Sequence, residues 1–113
     1  MHKEPEQIIL EAETNARAAC DAVREMWAEA ARAASLAVSM RISNLALQAS
    51  SSAQSAIGSA QAAIGHAEAA KREKGTVSHG QATEQLLISM GNLETAQQYR
   101  AEARKIAASS DPA

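Results

Sequence analysis

The sequence predicts an all-α fold: a long Ala-rich helix and an antiparallel C-terminal helix, as a helical hairpin or three-helix bundle within an oligomeric helical bundle. Three observations carry that expectation. Neither Pro nor Gly occurs between Glu6 and Ile57. Alanine, the strongest helix former, supplies 28 of the 113 residues. Apolar residues recur at alternating steps of three and four, the spacing of one helix face.

The first helix is expected to open at Pro5, whose fixed φ and missing N–H suit the first helical position. Glu4, Glu6, Glu11 and Glu13 complement the positive end of its dipole. A seam of ten apolar positions then runs through Ile9, Ala12, Ala16, Ala19, Val23, Met26, Ala30, Ala33, Ala37 and Met40. Its next positions are Asn44, which at such a site sets register or marks the seam's end, and Leu47. A second seam lies beside the first, through Cys20, Trp27, Ala31, Ala34, Val38, Ile42, Leu45 and Ala49. Two seams on one helix imply neighbours on two sides.

The middle of the chain is the most unusual stretch. From Ala33 to Ala67, thirty-five residues, Arg41 is the only side chain with a fixed charge. Past Gln48 the best seam becomes Ala53, Ile57, Ala60, Ile64 and Ala67, one residue out of phase with the first. A straight helix drifts by about 20° per heptad, enough to explain that shift over about five heptads. A bend at Ser50–Ser52 would also explain it, because consecutive serines compete for backbone hydrogen bonds. Gly58 and Gly65, seven residues apart, suggest a close approach by a neighbouring helix backbone.

The first helix is therefore expected over about residues 5–72, with a possible bend near 50–52 and a turn at 73–80. Lys71, Arg72 and Lys74 suit the negative end of its dipole, and Gly75 fits the position after its last turn. Ser78 through Gln81 reads as a capping box, with Thr76 as the competing cap. The second helix follows over about 81–108, with a seam of Ala82, Leu86, Leu93, Ala96, Ala103 and Ala107, and then a tail at 109–113. The whole is one domain, 1–113.

Length sharpens this. At 1.5 Å per residue the first helix would span about 100 Å and the second about 42 Å. The N-terminal half of the first helix would then have no partner in a simple hairpin. Either it folds back at the serines into a three-helix bundle, or it meets another subunit. Leu, Ile and Val number only 17, so interfaces should be thin and Ala-filled. Oligomerisation is the usual remedy for so small a core.

Chemistry is hard to find. No Glu is followed by His three residues later, as an in-bundle di-iron site would need. His2, His66 and His79 share no ligand spacing with each other or with Cys20, so neither metal nor cofactor is expected. Cys20 has Arg17 and Arg24 about a turn away, offset by Asp21 and Glu25, and is expected as a small buried apolar residue. Trp27 is expected either as the large plug of an Ala-lined bundle or as an interface anchor. No nucleophile–base pair, P-loop or Rossmann glycine pattern occurs, so no enzymatic activity is expected.

Eleven basic residues against 13 acidic ones, with Trp27 and Tyr99 the only aromatics, argue against nucleic acid. No run approaches the roughly 18 apolar residues of a membrane span. A single cysteine and the acidic, helical start favour a cytoplasmic chain. In size and hairpin layout the chain is similar to small secreted helical hairpins of the Trp-x-Gly type, but Ala28 and Glu29 follow Trp27, so their motif is absent.

The function expected from these observations is non-enzymatic self-association, as a scaffold or assembly subunit. Its interface residues would be Val23, Met26, Trp27, Val38, Met40, Ile42, Asn44, Leu45, Leu47, Ile57, Gly58, Ile64 and Gly65. Two alternatives stand beside it: an adaptor whose long helix binds a different helical protein, and a bundle that binds a small molecule.

Overall fold

The computed structural model describes residues 3–73 and 77–109. Three helices account for almost all of them: α1 (Pro5–Arg32), α2 (Leu36–Arg72) and α3 (Val77–Ser109). They form an up-down-up three-helix bundle, 60 × 21 × 15 Å along its principal axes. The all-α fold and the packing of helix on helix agree with the sequence. Helix α1 starts with Pro5 in its first turn, as expected.

The long first helix does not run through to residue 72. It stops at Arg32, turns at Ala33–Ser35 and restarts as α2, while Ser50–Ser52 lies inside uninterrupted helix. No Gly or Pro makes this corner. Ala33 leaves the helix at φ −62°, ψ 140°, and Ser35 caps α2 at φ −127°, ψ 154°, its Oγ accepting from the Val38 N–H at 3.2 Å. Such a cap satisfies one of the four orphan N–H groups at a helix start and is worth about 1 kcal/mol. Ser39 Oγ donates to the Ala30 carbonyl at 2.8 Å and ties the two helix ends together.

The corner resolves the two seams. The first belongs to α1, where Ala12, Ala19, Met26 and Ala30 are buried. The second belongs to α2, where Ile42 and Ala49 are buried. Beyond the corner each loses its role: Ala37 and Met40 of the first are exposed, as are Cys20, Trp27, Ala31 and Ala34 of the second. The phase shift assigned to drift or to the serines thus comes from a change of helix at Ala33–Ser35.

Helix α1 folds back along α2, so its N-terminal half has a partner within the chain. The core forms in three zones along the bundle axis. Ile8 packs with Ala60, Ala63, Ala67, Ala82 and Leu86 at one end. Ala19 meets Ala53 and Ala56 in the middle. Met26 meets Ile42, Ala46, Ala49, Ala96 and Ala103 at the other end. The buried face of α2 is Ile42, Ala46, Ala49, Ala53, Ala56, Ala60, Ala63 and Ala67, alternating steps of four and three without a slip. That is heptad packing with methyl-sized contacts, which lets helices approach closely.

Helix α3 begins at Val77 rather than near Gln81. Ser78 therefore sits in its first turn and donates to Glu73 Oε2 at 2.9 Å, so it does not open a capping box. Lys74, Gly75, Thr76, His2 and the tail from residue 110 lie outside the described residues. Of the predicted α3 seam, Ala82, Leu86, Ala96 and Ala103 are buried, and Leu93 and Ala107 pack at its margin. One buried member has no apolar signature. Ser89 is fully covered and donates to the Ala56 carbonyl at 2.7 Å, linking α3 to α2 in mid-bundle.

Candidate functional site: the α1–α2 groove and the outer face of α2

The thirteen residues expected at an interface fall into three groups. Met26 and Ile42 are wholly inside the bundle. Val23, Val38, Leu45, Ile57 and Ile64 are half-buried, packed against the core from its edges. Trp27, Met40, Asn44, Leu47, Gly58 and Gly65 are exposed. The first two groups are used by the monomer fold. The third is not.

Helical spacing gathers most of that third group. Met40, Leu47, Gln54 and Gln61 follow one another at seven-residue steps, as do Asn44, Ser51, Gly58 and Gly65. Residues seven apart lie two turns apart on one face, so these two columns form a stripe down the outer side of α2. Every residue in it is exposed and none carries a charge. Leu36 begins the stripe at 76% exposed, and Met40 and Leu47 stand at 57% and 60%. A Cβ added at Gly58 or Gly65 would meet nothing within 4 Å, so neither glycine serves a close approach inside the bundle.

Beside the stripe, the surface between α1 and α2 is indented. Cys20, Val23, Arg24 and Trp27 of α1 face Ser50, Ala53, Gln54 and Ile57 of α2 around a largely apolar hollow of about 380 Å³. A shallower, more polar depression continues it past Arg17 and Asp21 toward Gln61 and Ile64. Trp27 is 41% exposed and forms a wall of the groove rather than a plug of the core. Cys20, expected to be buried, is also exposed there. The reason for both is the corner at Ala33–Ser35, which ends the helix whose second seam they would have joined.

The opposite side of α1 differs in chemistry. Glu25 Oε2 accepts from Arg104 at 2.8 Å and from Arg100 at 3.5 Å, joining α1 to α3. A ring nitrogen of His79 meets the Lys3 carbonyl oxygen, joining the start of α3 to the segment before α1. Lys3 Nζ donates to Glu11 at 2.6 Å. Among the described residues, the buried side-chain atoms Glu11 Oε2, Asn15 Nδ2 and Arg100 Nε have no hydrogen-bond partner. Asn15 and Arg100 sit at heptad positions of α1 and α3, where an apolar reading of the sequence passes over them.

Among the described residues no three of His, Cys, Asp and Glu come together as a metal-binding group. Among the same residues, no helix is long and apolar enough to cross a membrane. His66 is half-buried on α2, away from the groove-lining residues. What the groove and the stripe offer is shape and apolar surface. Comparison with protein-family models, with curated proteins and with solved structures found no match.

Proposed function

We propose that this chain is a self-associating helical subunit, working without catalysis as a scaffold or assembly component through the exposed face of α2. The observation that carries this reading is the uncharged stripe from Leu36 to Gly65, with three of the bundle's most exposed large apolar side chains at one end. A helix face in permanent contact with water normally carries charged residues opposite its buried stripe. Here α2 has Arg41 alone between its start and Ala67 besides His66. A covered face needs no such charges.

The spare half-helix that first suggested association is filled by the chain's own fold, so the proposal stands on the stripe instead. With Cys20 as its single, exposed thiol, the chain suits a reducing compartment such as the cytoplasm. Sedimentation velocity across a concentration series tests the reading. Self-association predicts a rising weight-average mass, above that of the 11.8 kDa chain, by the high micromolar range. A constant 11.8 kDa throughout that range refutes it.

A further inference from the structure

The stripe on α2 is asymmetric along its length in a way that a second copy of itself would complete. Its large side chains, Leu36, Met40 and Leu47, all lie in the N-terminal half of α2, and its glycines, Gly58 and Gly65, in the C-terminal half. We propose that two copies pair antiparallel through α2, about a two-fold axis beside Ser50 and Ser51; this rests on the reading that the chain self-associates. In a two-fold interface each residue meets its counterpart across the axis, and the same contact occurs twice. The axis sets Leu36 of one copy opposite Gly65 of the other. Met40 falls opposite Gln61, over the space that Gly58 and Gly65 leave open. Knobs on one half fill gaps on the other half, twice.

Leu47 makes the register specific. Its counterpart across the axis is Gln54, which lines the apolar hollow beside Trp27. The hollow is therefore level with the exposed leucine of the incoming copy, and its volume of about 380 Å³ admits that side chain. Trp27 lines the same hollow as Ser50, the residue beside the axis. Its 41% exposure leaves aromatic surface for the contact.

Charge and area both fit. The stripe has no charged side chain to repel its copy, and antiparallel pairing sets the positive end of each α2 dipole beside the negative end of the other. From Leu36 to Gly65 the stripe is about 45 Å long at 1.5 Å per residue and about 10 Å wide. With the exposed part of Trp27, whose class carries about 150–250 Å² of side-chain surface, each copy contributes about 550 Å². Two such faces bury about 1,100 Å², just above the roughly 1,000 Å² expected of a specific interface. The pairing is a modest, reversible dimer.

Cysteine cross-linking combined with sedimentation tests the arrangement. Cys20→Ser removes the native thiol, and Ser51→Cys or, separately, Glu102→Cys on the exposed side of α3 introduces one probe. The expected result is a dimer in sedimentation, with disulfide-linked dimer dominating for Ser51→Cys on oxidation and absent for Glu102→Cys. Leu47→Glu should weaken dimerisation by at least about tenfold while circular dichroism shows the helices intact. A dimer that cross-links through Glu102→Cys and not Ser51→Cys overturns the register and leaves self-association standing. A monomer for the unsubstituted chain overturns both.

Discussion

Helix α2 has two uncharged faces that do opposite things. Inward, seven alanines and Ile42 are covered along the whole bundle. Outward, Leu36, Met40 and Leu47 stand in solvent above a run of Asn, Ser, Gln and Gly. The helix hides mostly its smallest apolar side chains and shows some of its largest. The hydrophobic effect scales with apolar area removed from water, so an isolated chain leaves part of its available stabilisation unused. The inner face sets the spacing between helices. The outer face stands exposed on the monomer, and the proposed self-association rests on that difference.

Two methionines from the same sequence seam give the largest test of this contrast. Met26 is fully buried and Met40 is 57% exposed. Met26→Ala should destabilise the monomer by about 3 kcal/mol, within the usual 2–5 for such a cavity. Met40→Ala should change it by less than about 0.5 kcal/mol, as exposed substitutions do. Urea denaturation of dilute protein measures both, and equal losses would erase the distinction between the faces.

A glycine substitution should separate stability from association. Gly58→Ala adds a methyl group that meets nothing in the bundle. It should therefore stabilise the folded monomer by up to about 1 kcal/mol, the helix-propensity difference between the two residues. In the proposed dimer the same methyl group would stand in the path of the second copy and should weaken dimerisation. Thermal melts of dilute protein and sedimentation of concentrated protein should move in opposite directions.

Polar links inside the bundle should follow with smaller effects. Ser89→Ala removes the 2.7 Å bond to the Ala56 carbonyl and should cost about 1 kcal/mol, seen as a lower urea midpoint. Glu25 lies on the surface, its side chain 48% exposed, so Glu25→Gln should cost well under 1 kcal/mol despite two arginine partners. That small loss should shrink further at high salt, because solvent-exposed pairs are screened.

The helical class and much of the core were legible in the sequence, because alanine propensity and heptad spacing are local signals. Ala12, Ala19, Met26 and Ala30 were placed on a common face, and α1 buries them. The corner at Ala33–Ser35 was not legible. Alanine carries no stop signal, and the seam Ala30, Ala33, Ala37, Met40 continues through it, so local preference and pattern both argue for helix. What breaks the helix is tertiary: α1 gains contacts with α2 and α3 by folding back, and Ser35 and Ser39 satisfy the exposed helix ends. Ser89 was passed over because a serine at a seam looks like a gap until its acceptor is known. Of the apolar outer residues, Met40 and Leu47 fell on the continuation of the first seam, whereas Leu36, the most exposed of them, belonged to neither seam.

Two leucines with similar exposure on different helices test the central claim most directly. Leu47 is 60% exposed on the α2 stripe and Leu87 is 62% exposed on α3. The introduced charge is the same in Leu47→Glu and Leu87→Glu, so sedimentation velocity of the two variants reads the face alone. Association through α2 predicts that Leu47→Glu sediments as a monomer at concentrations where Leu87→Glu still forms dimers. Dimers for Leu47→Glu and monomers for Leu87→Glu would contradict it.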